Sequence, residues 1–250
     1  MAHFNTGWSL EKLKDSTLII PAISLGNIPQ LTVDLLLHTR DFVSVGVLDD
    51  IYLHPFSSPV DVSPTKSANG ISNAAEIYYS TKNNITVIQQ RSPIIGSFTK
   101  QFVSEVILKL ISDVSFNKVI ILDSADAGLL EQSDAKTIEL YTNEDLLNKS
   151  LETLKISQKT QLPLTSPYQY SKYVLELINA LNSSASTVDI QALVSHVYEG
   201  DNFNDAELLA NELSQTLDVS STMNWIRPVS WLGVYGDKPV PNSMEDGLFG

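Results

Sequence analysis

Two stretches of the 250-residue sequence place chemically useful residues where a strand gives way to a helix. The first is Gly26-Asn27, which follows the β-branched run Thr17 to Leu25 and precedes Ile28-Pro29, a proline suited to a first helical turn. Open α/β sheets bind ligands beyond the carboxyl ends of their strands, and the N-terminus of a following helix can hold an anion there. The second is Glu199-Gly200-Asp201-Asn202, whose two carboxylates could act as acid and base on a bound sugar or nucleobase. Both stretches have a plainer reading as tight turns, because Gly, Asp and Asn adopt the backbone angles such turns need. The four histidines, His3, His38, His54 and His196, are too far apart for a local metal pair and read as surface or hydrogen-bonded strand residues. Cysteine is absent, which removes disulfides, thiolate metal sites, iron–sulfur clusters and a thiol nucleophile. Phosphate-cradling glycine loops, the HExxH pair and the GxSxG elbow are missing as well, so no catalytic set, metal or cofactor is expected.

Sixteen Lys and Arg stand against 29 Asp and Glu, a net charge of −13, with no basic block. Such a chain has no evident means of neutralising phosphates, which argues against nucleic-acid partners and anionic membrane surfaces. Hydrophobic residues make up 43% of the sequence and charged residues 18%, so a sizeable core is expected rather than disorder. Met1 to Lys14 lacks the basic and apolar regions of a signal peptide, and the apolar runs are too short to span a bilayer. These features fit a soluble cytoplasmic protein, or one also found in the nucleus.

The elements that must position these turns follow from periodicity. Thr17 to Leu25, a helix from Ile28, and Phe42 to Leu48 form a βαβ unit, which implies a parallel sheet. Pro55, Pro59 and Pro64 mark 49–72 as a long irregular loop. Ala74 to Tyr79 and Ile85 to Gln90 flank Lys82-Asn83-Asn84 as a hairpin. Gly96 to Val114 carries one apolar stripe and reads as an amphipathic helix, and Lys118 to Asp123 as a strand buried on both faces. Residues 124–168 lack clear periodicity and read as an irregular insertion, with a short run at 137–141 and a helix near Asp145 to Leu154. Tyr168 to Leu181 is helical, Val188 to Tyr198 strand-like, and Asn204 to Leu217 helical with Asn204 and Glu207 spaced as a cap. Trp225 and Trp231, around Pro228, read as a clamp that seals the end of the chain onto the body. The expected organisation is one α/β domain over 1–235 and an extended, mobile tail over 236–250.

Read in order, Ser24-Leu25-Gly26-Asn27-Ile28-Pro29-Gln30-Leu31, Asp34-Leu35-Leu36, Ala75-Glu76-Ile77-Tyr78 and Gln90-Arg91-Ser92-Pro93-Ile94 resemble the N-terminal half of the proteasome assembly chaperone 2 family. Glu199-Gly200-Asp201-Asn202 with Asp205-Ala206, and Trp225-x-x-Pro228-x-Ser230-Trp231, resemble its C-terminal half. The resemblance runs from about residue 17 to the end, excepting 124–168. It implies a three-layer α/β/α fold with a mainly parallel central sheet, like that of nucleoside phosphorylases but without their activity. It also implies a heterodimer with proteasome assembly chaperone 1, seated on the outer face of the α-ring of the 20S core particle. There the pair would promote assembly and block premature association.

In that family the C-terminus, ending hydrophobic, tyrosine, any residue, inserts into pockets between α subunits. Leu248, Phe249 and Gly250 match this pattern, with phenylalanine where tyrosine is typical, so a hydroxyl hydrogen bond worth about 0.5–1.5 kcal/mol is forgone. The rival expectation is a nucleoside phosphorylase-like or hydrolytic enzyme with a pocket joining the turns at Asn27 and Asp201. Residues 199–250 hold nine acids against Arg227 and Lys238, so seven of the thirteen net negative charges lie at the end bearing the tail. That asymmetry favours approach to a basic, lysine-lined protein surface, with association that slows as salt rises.

Overall fold

Three apolar runs decide the architecture: β2 (Thr17–Pro21), β8 (Lys118–Asp126) and β10 (Asp189–Val197). Successive side chains of a strand point to opposite faces, and here both sets are buried. Leu18, Ile20, Val119, Ile121, Ala192 and Val194 join one core, whereas Ile19, Ile120, Leu122 and Leu193 join another. A strand apolar on both faces must be covered on both, and helices do the covering.

The computed structural model describes residues 2–64, 69–129, 138–142, 171–183, 188–219 and 224–232. The remaining strands are β1 (Ala2–Phe4), β3 (Val43–Leu48), β4 (Ser57–Pro59), β5 (Ile71–Asn73), β6 (Ala75–Ser80), β7 (Ile85–Gln90) and β9 (Ile138–Tyr141). Eight of the ten form one sheet in the order β1-β3-β6-β7-β2-β8-β10-β9. Its centre, β7, β2, β8 and β10, is parallel. The margins β6, β3 and β1 on one side and β9 on the other are antiparallel. Helices α1 (Ile28–Thr39) and α4 (Phe203–Thr216) pack on one face, and α2 (residues 99–114) and α3 (Lys172–Ser183) on the other, giving three α/β/α layers.

The hairpin expected around Lys82-Asn83-Asn84 is present, pairing β6 with β7. It lies between β2 and β3, so the two strands of the expected βαβ unit point the same way without being neighbours. Local periodicity reports a strand and its direction of return but not what a later hairpin inserts beside it. Gly46 is required at the bulge in β3, because a Cβ there would lie 2.5 Å from the His3 carbonyl oxygen of β1. The loop over 49–72 contains an antiparallel ribbon of β4 and β5 and a bridge from Leu53 to Ile94. Within 124–168, β8 continues to Asp126 and β9 occupies Ile138–Tyr141; the helix expected at Asp145 to Leu154 lies outside the described residues.

The expected amphipathic helix is α2, and its middle, Phe102–Ile107, is π-helical, with the Leu108 N–H reaching back to the Val103 carbonyl. Phe102, Val103, Val106 and Ile107 are all buried beneath it. Phe102 meets the ring of Tyr173 from α3 with centroids 6.0 Å apart. The Tyr173 hydroxyl is buried in this apolar layer without a hydrogen-bond partner, and burial pushes its pKa up. An unsatisfied buried hydroxyl carries its desolvation cost uncompensated. Tyr173→Phe, which keeps the ring contact, should therefore raise the unfolding free energy by about 1 kcal/mol, measured by urea denaturation at unchanged m-value.

Candidate functional site: the strand carboxyl ends and the C-terminal strap

The parallel strands β2, β8 and β10 end together, and the loops that leave them bring both sequence-predicted turns into contact. Gly26 and Asn27 have φ values of 64° and 52°, both left-handed, so the turn geometry accounts for these residue types. Asn202, 3% exposed, lies directly against Gly26, where a Cβ would come within 2.6 Å of Asn202 Oδ1. Asn202 Nδ2 donates to the Tyr198 carbonyl at 2.8 Å and to Asp205 Oδ2 at 3.0 Å, and Oδ1 accepts from the Gly200 N–H at 3.2 Å. Asp201 Oδ1 accepts from the Phe203 N–H at 3.2 Å, which caps α4. The side chain that joins the turns also fills the space between them.

The neighbouring hydroxyls are similarly committed. Ser124 Oγ donates to the Leu25 carbonyl at 2.6 Å and lies 2.8 Å from Ser24 Oγ, which accepts from the Ser124 N–H at 3.0 Å. With the Ser124 proton on Leu25, Ser24 is the donor in the pair. Of the histidines, His196 is 3% exposed with Nε2 3.2 Å from Glu139 Oε2 across β10 and β9, a hydrogen-bonded strand residue as its surroundings in the sequence suggested. Among the described residues no group of three His, Asp or Glu side chains is placed to hold a metal ion, and no helix is long and apolar enough to cross a membrane.

A buried polar cluster that no sequence motif announces sits beside this end. Asp34 is 5% exposed on the apolar face of α1, between Val33 and Leu35. It accepts from Gln89 Nε2 at 2.6 Å and from Arg91 Nη2 at 2.9 Å, both at Oδ1. Burial pushes its carboxyl above the ordinary range, and the Arg91 charge and the hydrogen bonds from Arg91 and Gln89 pull it back. The sequence signal was a carboxylate in an apolar helical stripe, which needs a buried partner. Tyr78 donates to Glu76 at 3.1 Å alongside, and its own pKa is driven up mainly by burial.

The tryptophan pair does form a clamp. Segment 224–232 is a strap that runs antiparallel to α4 across the seam between α1 and α4. Trp225 Nε1 donates to Asn211 Oδ1 at 2.9 Å, and its ring lies under the Arg40 guanidinium, 5.6 Å from the centroid. The Ile226 N–H donates to Thr39 Oγ1 at 2.9 Å. Arg227 Nε donates to Glu207 Oε1 at 2.8 Å and Nη2 to Asn204 Oδ1 at 3.1 Å. Asn204 and Glu207 therefore do not form the expected cap; α4 starts one residue earlier, at Phe203, and both side chains hold the strap instead. Trp231, 5% exposed, stacks on Phe203 with centroids 4.4 Å apart and planes 9° from parallel. Leu248, Phe249 and Gly250, with the rest of 236–250, lie outside the described residues.

The family model described as the PAC2 family matches residues 18–220. The chain belongs to the PAC2 family. Curated relatives named Proteasome assembly chaperone 2 match nearly end to end. The one from Saccharomyces cerevisiae is 26% identical, covering 92% of this chain and 98% of its own. The one from Danio rerio is 28% identical, covering 95% and 98%. Among solved structures, Pyrococcus furiosus PbaA, described as an archaeal homolog of proteasome-assembly chaperone, superposes with a TM-score of 0.62 at 15% identity. That match covers 88% of this chain and 87% of PbaA. The resemblance read from the ordered turn motifs is borne out, and so is the α/β fold it implied.

Two substitutions test the contacts described above. Arg91→Met should cost about 3–5 kcal/mol at neutral pH, because it leaves Asp34 buried and unpaired. The folded pKa of Asp34 then rises further above its unfolded value, so the variant loses stability as pH rises through that interval, and its deficit shrinks on acidification. Urea denaturation of both proteins at neutral and mildly acidic pH reads the difference. Gly26→Ala should destabilise by at least about 1–2 kcal/mol from the left-handed backbone alone, with a further loss from the clash with Asn202. Adding Asn202→Ala should relieve the clash but not the backbone part, as thermal melts of the single and double variants will show.

Proposed function

We propose that the chain is one half of a proteasome assembly chaperone. With proteasome assembly chaperone 1 it forms a heterodimer on the outer face of the 20S α-ring, where the pair promotes assembly and blocks premature association. The observation that carries this reading is the match, over almost the whole length of both chains, to relatives named Proteasome assembly chaperone 2. The role is non-catalytic and rests on binding surfaces. What supports this is the strand-end crevice, where an enzyme of this architecture would hold its substrate. Here Asn202 packs on Gly26, and Ser124, Asp201 and Asp205 hydrogen-bond to the surrounding turns.

The tail completes the proposal. Phe249 buries its ring beside Leu248, and the stem lets the tail reach a pocket the body does not touch. A tail contact joined to a body contact gains affinity through effective concentration. Affinity purification followed by mass spectrometry should recover proteasome assembly chaperone 1 and α subunits; recovery of neither rejects the assignment. Deleting Leu248 to Gly250 should weaken capture of α-ring intermediates without lowering the melting temperature, and Phe249→Ala should reproduce a large part of that loss. Unchanged capture by both variants would remove the tail from the mechanism.

A further inference from the structure

The strap has a direction. Trp225 is held beside Asn211, Arg227 beside Glu207 and Asn204, and Trp231 on Phe203, so the strap climbs α4 from its C-terminal half to its first residue. Phe203 follows the turn that ends β10, which places the top of the strap at the carboxyl ends of the parallel strands. The last described residue is Leu232.

At that point the strap leaves α4 for the proline-rich loop. The Val229 N–H donates to the Val62 carbonyl at 2.7 Å. Ser230 Oγ donates to Asp61 Oδ2 at 2.5 Å, and the Ser230 N–H reaches Asp61 Oδ1 at 3.4 Å. Asp61 Oδ1 also accepts from the Val62 N–H at 2.9 Å, which holds the carboxylate in place. This part of the loop is itself tied down. The Val60 N–H donates to the Gly70 carbonyl at 3.2 Å, next to the β4–β5 ribbon, and β5 is one residue from β6 in the main sheet. Ser63 is 5% exposed. Residues 57–63 are therefore held as a socket, and Asp61 is its charged contact with the strap.

We infer that Asp61 is the positioning residue for the C-terminal tail. Through Ser230, and with Val62 holding Val229, it fixes the strap from which the tail starts. Asp61 and Val62 thereby set the origin of the tether that bears Leu248, Phe249 and Gly250. The inference rests on the tail-docking reading above. Leu248 lies sixteen positions beyond Leu232, a reach of at most about 55 Å when extended. For a tether of fixed length, the effective concentration of the tail at its pocket depends on where the tether starts. An unlatched strap starts further back and at no defined place.

Ser230→Asp tests this by setting two carboxylates face to face, and Asp61→Ala by removing the acceptor; Asp61→Asn in the Ser230→Asp background removes the repulsion. Hydrogen exchange in the isolated full-length protein reads the latch without any partner. Exchange at the Val229 amide should rise at least tenfold in Ser230→Asp and Asp61→Ala and return towards wild type in the double variant. Capture of α-ring intermediates should weaken about three- to tenfold in the same two variants, at unchanged melting temperature, and recover in the double variant. Unchanged exchange in both single variants overturns the latch. Faster exchange with unchanged capture overturns the positioning role. If a peptide of residues 239–250 does not bind the α-ring, the tail-docking reading itself fails, whereas the exchange data still decide whether Asp61 holds the strap.

Discussion

The structure depends on one constraint: β2, β8 and β10 are apolar on both faces and lie side by side at the centre of the sheet. Neither face can be left to water, so the chain must supply helices to each. At roughly 25 cal/mol per Å² of buried apolar surface, these strands and the helices over them supply most of the driving force for folding. A parallel centre also means that the strands end at one edge, and every loop that leaves them meets there. The contact between Gly26 and Asn202, the Ser24–Ser124 pair and the socket for the strap are all consequences of that common edge.

Polar groups at this edge are tied into the scaffold by hydrogen bonds. Asp34 brings a charge into the apolar face of α1 and is matched by Arg91 and Gln89 at the end of β7, which ties the helix to a particular strand. Asn202 uses its amide to brace the turn before α4. The same edge of an α/β sheet that serves many enzymes as a cleft is here filled by short hydrogen bonds between turns. Exposed apolar side chains, Ile51, Ile71, Phe98 and Tyr198, stand at this end of the sheet together with the exposed carboxylates of Asp126, Glu199 and Asp201.

Much of this was legible in the residues. The double burial of Lys118 to Asp123, the hairpin at Lys82-Asn83-Asn84 and the clamp role of Trp225 and Trp231 follow from apolar periodicity, turn chemistry and the placement of large aromatic rings. The position of β3 was not legible, because the hairpin that separates it from β2 comes later in the chain. The roles of Asn204 and Glu207 were not legible for a related reason: a capping pattern is local, and the guanidinium of Arg227, twenty residues beyond Glu207, outcompetes it.

The sequence by itself determined the α/β class, the family, the turns and the absence of the usual catalytic motifs, since each is written in neighbouring residues or in an ordered set of short motifs. Only the tertiary structure decided that the two turns touch and close on each other, that Asp34 is paired with Arg91, and that Asp61 meets Ser230 across 169 positions. Those contacts depend on where the sheet order brings its strand ends. Loop closure over such distances costs little extra as length grows, so nothing near either residue in the chain announces its partner.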